Sequence, residues 1–310
     1  GKALRIVPLP KPGDISSAPI TDVSALEGRP VVNERSLTFF EKDAEEAIRH
    51  LLAIILAGGA ASRFGGRPKA NFPMLKIVNP VDGVPQYLTF LQAKRALIEG
   101  LGRDITTLAT ASYVSDQMVR QLLSSAPGAR TIKQEVSRKF KRGTAEPVIF
   151  SNGSMALMPG VGHASNIMQL LLHREFLIDE LRKGHLIATA GNIDNIGQRP
   201  KGAILGLMWG SVMRGKPITV VGEITEKVPG ATGGIPTLVQ YEGGIDIDLR
   251  EQPEYAKIPK DDTEHAVNEN DHYYFNPMNL YFYLPALLTV INILGEEDLK
   301  KSPEEVVRLA

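Results

Sequence analysis

The stretch Ala53–Lys69, AIILAGGAASRFGGRPK, constrains what the rest of the chain can fold into. It overlaps an unbroken apolar run, Leu51–Leu56, with isoleucines at its centre. A run of that length with no polar break predicts a strand buried on both faces, as in the middle of a parallel sheet. Gly58 and Gly59 follow at once, then Ser62 and Arg63, two more glycines, and Pro68-Lys69. Glycines lack a Cβ and let backbone N–H groups approach a polyphosphate, while a nearby lysine supplies a point charge. A glycine-rich turn with no ligand has the same local composition, so the loop alone is a weak signal. The order strand, double glycine, Arg, Pro-Lys carries the information. Neither GxGxxG nor GxxxxGK[ST] fits the spacing of these residues.

The chain has 310 residues, enough for one large domain or two ordinary ones. Its 35 basic and 35 acidic residues balance, so no global field steers it to nucleic acid or an anionic membrane. There is no cysteine, which excludes disulfides, thiolate catalysis and cysteine-based zinc sites. That fits the cytoplasm or a reducing organelle such as a plastid, not secretion. No charged-then-apolar leader opens the sequence. The long apolar stretch Phe275–Leu294 contains Asn276, Pro277, Asn279, Pro285 and Asn292, so it predicts a strand and helix inside a core, not a membrane span.

Residues 1 to about 40 are rich in proline and predict an extended arm laid over the body. Glu41–Leu52 has acidic residues early and a histidine late, as a helix does. Gln86–Ile98 sets Tyr87, Phe90, Leu91, Leu97 and Ile98 on one helical face, with Lys94 as the exception. Further strands are expected at Asp104–Ala109, Arg130–Gln134, Ser154–Met158, His185–Ala190 and Ile218–Gly222. Helices are expected at Ser115–Leu123 with Ser115 as N-cap, from PGVGHAS through Leu181, at Gly202–Met213 and at Pro303–Leu309. Alternating strands and helices imply a mostly parallel sheet with right-handed crossovers. From Ile235 the strand-like pieces crowd together, predicting antiparallel strands on one edge of that sheet.

Ligands of such sheets sit outside the carboxyl ends of the strands. Gly58 and Gly59, Gln134, Gly160 and Gly162, and then Asn192, Asp194 and Asn195 all fall at those ends. Asn192-Ile193-Asp194-Asn195 offers one carboxylate between two amides. That suits Mg²⁺, which takes water and substrate phosphate for its other ligands; an Asx turn closing a strand is the structural alternative.

The loop resembles the LAGGxGTRLGxxxPK segment of sugar-phosphate pyrophosphorylases, with Ala61-Ser62 in place of Gly-Thr and one residue fewer before Pro68. Other blocks sharpen the resemblance to the UDP-glucose pyrophosphorylase family. GNIDNIG is similar to SNIDNLG. PGVGHAS is similar to PPGHGD, with His163 at the aspartate. Lys133-Gln134 matches the FNQS segment at its glutamine, and LATASYVSDQM loosely resembles MNSFNTHDD. TEKVPGATGGIPTLVQYEG is similar to NKTRADVKGGTLTQYEG at Lys227, Gly233, Gly234, Tyr241, Glu242 and Gly243. FNPMNLYF matches FNTNNLW at Phe275, Asn276, Asn279 and Leu280. The blocks run in order from residue 53 to 283, and UDP-N-acetylhexosamine pyrophosphorylases share much of the pattern.

The resemblance implies a GT-A-type nucleotidyltransferase fold, a Rossmann-like, mixed but mostly parallel sheet flanked by helices with an antiparallel extension on the sugar side. It implies an arm and helix over residues 1–50 and a catalytic domain over 51–310. The family's C-terminal β-helix and its later phosphate-binding lysine have no counterpart before Ala310, so the chain is either a fragment or a reduced member. The reaction implied is UTP plus sugar 1-phosphate, most simply glucose 1-phosphate, giving UDP-sugar and pyrophosphate. In it Leu56, Ala57, Gly58 and Gly59 would approach the nucleotide. Arg63 and Lys69 would neutralise the triphosphate. Gln134 and Gly160 would read uracil. Asp194 would hold Mg²⁺, with Asn192 near the sugar nucleotide. Gly234, Glu242 and Asn276 would bind sugar hydroxyls, and Lys227 would reach a phosphate.

The same residues suit three alternatives: another sugar 1-phosphate such as an N-acetylhexosamine or galactose derivative, a different small-molecule nucleotidyltransferase, or a non-catalytic nucleotide-sugar binder. The basic run Ser137–Arg142 is more simply a solvated loop than a nucleic-acid site at zero net charge.

Overall fold

The computed structural model describes residues 5–7, 9–27, 29, 31–58, 60–61, 67–78, 81, 83–102, 105–141, 143–158, 169–227, 234–241, 244–250 and 274–310. Its centre is a six-stranded sheet built from β1 (Leu51–Leu56), β2 (Thr106–Ala111), β3 (Ala129–Lys133), β4 (Ile187–Asn192), β5 (Val220–Gly222) and β6 (Asn279–Tyr283). Their order across the sheet is β5-β6-β4-β1-β2-β3. β4, β1, β2 and β3 run parallel, and β6 is antiparallel to both its neighbours. Every residue of β1 is buried, as its unbroken apolar sequence demands.

The chain lays β2 and β3 on one side of β1 and then returns to place β4 on the other. This reversal is a topological switch point, where the loops leaving β1 and β4 part and leave room for a ligand. Register puts the carboxyl ends level. Asn192 lies beside Leu56, Leu56 beside Thr110, and Thr110 beside Ile132.

Seven α-helices lie among the described residues: α1 (Ala44–Arg49), α2 (Phe90–Glu99), α3 (Asp116–Leu123), α4 (Arg174–Arg182), α5 (Gly202–Met213), α6 (Leu284–Val290) and α7 (Pro303–Leu309). α5 is apolar on nearly all sides and almost wholly buried, as a helix without a polar face must be. It packs against a 3₁₀ segment, Glu34–Asp43, and against α1. α7 begins at a capping box in which Ser302 accepts the Glu305 N–H and Glu305 accepts the Ser302 N–H. No helix among the described residues is long and apolar enough to cross a membrane.

Several sequence expectations are corrected. The N-terminal segment is not simply extended. Arg5–Val7 pairs with Ile235–Tyr241, and 3₁₀ turns form at Pro12–Asp14, Val23–Leu26 and Glu34–Asp43. The helix expected at Glu41–Leu52 ends at Arg49, because Leu51 and Leu52 already belong to β1. The helix expected from Gln86 starts only at Phe90. Tyr87 lies in an exposed hairpin strand, Pro85–Thr89, that pairs with Pro73–Val78.

Ser154–Met158 does not join the central sheet. Only Leu157 and Met158 are in a strand, and it pairs with Ser137–Arg138. Antiparallel pairing is also not confined to an edge. Ile235–Tyr241 and Gly244–Arg250 form a separate sheet with Arg5–Val7, while β6 is inserted between β4 and β5.

Candidate active site

The loop after β1 folds back on itself. Ala60 pairs with Pro68 and Ala61 with Arg67, so the return strand delivers Lys69 at the start of a 3₁₀ turn, Lys69–Asn71. Lys69 Nζ donates to Asp194 Oδ2 in a short ion pair. Both side chains stay partly open to solvent, 23% and 41% exposed. Two of the three residues expected to do catalysis are thus brought together at the switch point. The third, Arg63, lies outside the described residues, as do Gly59, Gly160 and Glu242.

Gly58 and Gln134 also meet. A Cβ built on Gly58 would lie 2.6 Å from Gln134 Oε1 and 2.9 Å from its Cδ, so any side chain there would have to push that amide aside. Gln134 is buried, and its N–H donates to Ala111 O at 2.6 Å, which carries the β2–β3 ladder one residue past β3. Ala57 N–H does the same toward Thr110 O at 2.9 Å. Leu56 and Ala57 are both buried beside Gly58. Ser115, expected to cap α3, makes no side-chain cap. Its hydroxyl accepts the Ser112 N–H at 3.0 Å and reaches Ala57 O at 3.3 Å, fixing the backbone on the approach to Gly58.

Asn192 ends β4 half-buried, and the next residues turn tightly. Ile193 N–H reaches Leu56 O at 3.3 Å and Asn195 N–H reaches Asn192 O at 3.2 Å. This turn swings Asp194 out over the loop of β1. Asn195 Nδ2 donates to Pro277 O at 3.2 Å and to Gln198 Oε1, tying the turn to the segment before β6. On that side Asn276 N–H donates to Gly234 O at 2.8 Å, so two residues expected at a sugar are in direct contact. Asn276 Oδ1 accepts the Met278 N–H at 2.9 Å, an Asx turn that holds Met278 at φ 60°. Lys227 directly follows the short strand Thr225–Glu226, which pairs with Tyr274–Phe275.

Three functional-looking residues escaped the sequence reading. Lys94, the exception on the α2 face, is 3% exposed and donates through Nζ to Asn195 O at 2.8 Å and to Gln198 O. Burial lowers its pKa from 10.5 to about 8, with Glu223 and Asp194 pulling the other way. Glu223 and Tyr281 carried no motif signal. Glu223 accepts from Asn279 Nδ2 and Tyr281 OH and pairs with Lys201 at 3.4 Å. Burial pushes the Glu223 carboxyl above its ordinary range and the Tyr281 hydroxyl far above its own.

For Mg²⁺ the donor set fits. Asp194 is one exposed carboxylate with the Asn192 amide nearby in the chain, and such a site leaves most coordination to water and phosphate. No group of three or more His, Cys, Asp or Glu side chains forms a closed cage among the described residues.

The family model for UTP–glucose-1-phosphate uridylyltransferase matches residues 13–303. A Leishmania major UDP-glucose pyrophosphorylase solved in complex with UDP-glucose is 20% identical, with a TM-score of 0.59, covering 80% of this chain and 52% of that one. A Trypanosoma brucei UDP-glucose phosphorylase is 20% identical, with a TM-score of 0.61 over 80% of this chain and 51% of that one. The uridine diphosphate N-acetylglucosamine pyrophosphorylase of the same organism, in complex with an inhibitor, is 18% identical, with a TM-score of 0.61 over 90% and 55%. The chain therefore spans about half the length of the solved structures it matches. No curated protein matches it. With its family model matched over nearly the whole length, the chain belongs to the UTP–glucose-1-phosphate uridylyltransferase family.

Proposed function

We propose that the protein transfers a uridylyl group from UTP to a sugar 1-phosphate, with glucose 1-phosphate the favoured acceptor, and releases pyrophosphate. The observation that carries this reading is the meeting of Lys69 and Asp194 at the switch point of the sheet. The phosphate oxygen of the sugar attacks the α-phosphorus in line, and the β,γ-pyrophosphate leaves with the bonding pair. No protein nucleophile takes part, so catalysis comes from positioning and charge.

Lys69 neutralises charge on the triphosphate, leaving Asp194 as the nucleotide arrives, with Arg63 assisting from the same loop. Gln134 presents an amide donor and acceptor to the uracil edge, held over Gly58 and joined by the backbone of Gly160. Leu56, Ala57 and Gly59 line the nucleotide side, and Asn192 contacts the sugar nucleotide. Gly234, Glu242 and Asn276 hold the sugar, while Lys227 serves a phosphate. Asp194 and the phosphates would hold Mg²⁺, which when bound supplies positive charge against the equatorial oxygens.

An N-acetylhexosamine 1-phosphate is the second reading, favoured by the fit to the Trypanosoma brucei UDP-N-acetylglucosamine pyrophosphorylase over 90% of this chain. A pyrophosphate-release assay tests both. UTP, ATP, CTP and GTP are each offered with glucose, galactose and N-acetylglucosamine 1-phosphates. Release with UTP and glucose 1-phosphate above all other pairs is expected. No release with any pair would sink the enzymatic reading and leave a nucleotide-sugar binder.

A further inference from the structure

Lys94 lies in the middle of α2, and its side chain is buried in the body of the protein. The helix is fixed in place before Lys94 is reached. Thr89 and Gln92 form a capping box at its start, with N–H to side-chain bonds of 3.0 and 3.3 Å, and Leu91 and Ile98 are buried. The ammonium ends at two main-chain oxygens, Asn195 O and Gln198 O, which bracket the turn that follows Asp194. Around it stand β4 and β6. A Cβ on Gly191 would lie 3.7 Å from Nζ and 3.3 Å from Asn279 Oδ1. The charged groups that act on it are the carboxylates of Glu223 and Asp194, neither of them bonded to it.

A buried cation is an expensive way to satisfy two carbonyl groups. Its bonds go to the backbone of one turn, with no carboxylate bonded to it. The same turn is held from its far side by Asn195 Nδ2, which grips Pro277 O next to Asn276. The Asp194 turn is therefore pinned at two points, one on α2 and one on the sugar-side segment.

We propose that Lys94 is a positioning residue for the transfer reaction, clamping the turn from Asn195 to Gln198 so that the Asp194 carboxylate is presented to the nucleotide phosphates. The role rests on uridylyl transfer being the protein's reaction. Lys94 itself touches no substrate. Its effect is to hold Asp194 to within the fraction of an ångström that charge neutralisation at the α-phosphorus requires, since a displacement of about 1 Å costs on the order of a hundredfold in rate.

The test compares wild type with Lys94→Met, which keeps the stem and loses the donors, and Lys94→Gln, which keeps one donor group. Hydrogen exchange across residues 193–198 is expected to quicken about tenfold or more in Lys94→Met, with β1 and β4 unchanged. In steady state kcat should fall about tenfold to a hundredfold, with KM for UTP nearly constant and the Mg²⁺ concentration for half-maximal rate raised. Lys94→Gln should recover part of both effects, and it carries the test where Lys94→Met does not fold. Unchanged exchange in residues 193–198 overturns the clamp. Faster exchange with unchanged kcat overturns the catalytic consequence. If wild type itself shows no turnover with any substrate pair, the uridylyl-transfer reading fails, while the exchange measurement still decides whether Lys94 holds the turn.

Discussion

Lys69 Nζ and Asp194 Oδ2 are in direct contact, although 125 residues separate them in the chain. The contact spans the switch point. Lys69 arrives on the return strand of the β1 loop, and Asp194 on the turn that leaves β4. An ion pair this exposed contributes little to stability, typically about 0–1 kcal/mol. Its value lies in where the two charges stand. In the proposed reaction the Lys69 ammonium would leave this pair for a phosphate, and the Asp194 carboxylate would be held in place until substrate binds.

Substituting either partner should therefore leave the fold intact and damage the reaction. Asp194→Asn keeps the shape and loses the ionic ligand. Turnover should fall by roughly a hundredfold or more, about 2.7 kcal/mol, and raised Mg²⁺ should restore part of it. Lys69→Ala should fall similarly with no rescue by metal. Kinetics across a magnesium titration check both. Near wild-type turnover for Asp194→Asn at every concentration would mean that the residue only closes a turn.

The contact between Gly58 and Gln134 makes a second prediction, on nucleotide choice. Gly58→Ala places a methyl 2.6 Å from Gln134 Oε1 and must push the amide aside. Gln134→Ala removes the amide instead. Both should weaken UTP binding, by roughly 1–3 kcal/mol for Gln134→Ala, and narrow the preference for UTP over the other nucleotides. Calorimetric titration with each nucleotide measures this. If Gln134→Ala binds UTP as wild type does, the amide is not the reader of the base.

The elements that matched expectation are those whose local pattern suffices. Leu51–Leu56 is apolar throughout and lies at the sheet centre. Gly202–Met213 is too apolar to be anything but buried, and Pro303–Leu309 has its capping Ser302 and a proline in its first turn. What failed was long-range. Ser154–Met158 has the residues of a strand, but it pairs with Ser137–Arg138 away from the central sheet and leaves Met155 and Leu157 exposed. Nothing in Asn279–Tyr283 says that it will enter between β4 and β5 in the antiparallel sense, since that depends on partners far away in sequence. Lys94 was visible as a flaw in a helical face, yet only the packed structure supplies the two carbonyl groups that give the flaw a purpose. At the rim, Lys69 with Asp194 and Gly58 with Gln134 were legible singly, from motifs; their meeting was not.

Acid should act through Glu180. This carboxylate is fully buried, and burial alone would raise its pKa. Bonds from His185 at 2.7 Å and from Lys183 at 2.9 Å outweigh that and hold it below its ordinary 4.5. A carboxylate with a depressed folded pKa contributes stability that is present above 4.5 and lost as pH falls through the lower folded value. Urea unfolding below pH 4.5 should show that loss in wild type, and Glu180→Gln should flatten it. Parallel acid profiles for the two proteins would remove Glu180 from the account.

Alkaline pH should act in the opposite direction, through Lys94. Unfolded, this lysine keeps its proton up to its ordinary 10.5; folded and buried, it gives the proton up at about 8. Between those values the unfolded chain binds more protons, so the lysine's contribution to stability rises with pH. Below pH 8 the folded protein carries the full cost of an ammonium group out of water, and that cost is relieved as the amine becomes neutral. The interval from about 8 to 10.5 corresponds to about 3 kcal/mol. Wild type should therefore gain about that much relative to Lys94→Met between pH 8 and 10.5. The difference between the two proteins cancels the other groups that titrate in this range. The Tyr283 hydroxyl does not titrate in this interval, because burial pushes it up to about 12. Neutral Lys94 still offers N–H donors to Asn195 O and Gln198 O, so the turn should keep its hydrogen-exchange protection while global stability climbs. Urea midpoints for both proteins across this interval decide the matter. A constant difference from pH 8 to 10.5 would show that the ammonium is solvated after all, and that its bonds to the Asp194 turn come without the desolvation that makes a purely stabilising role untenable.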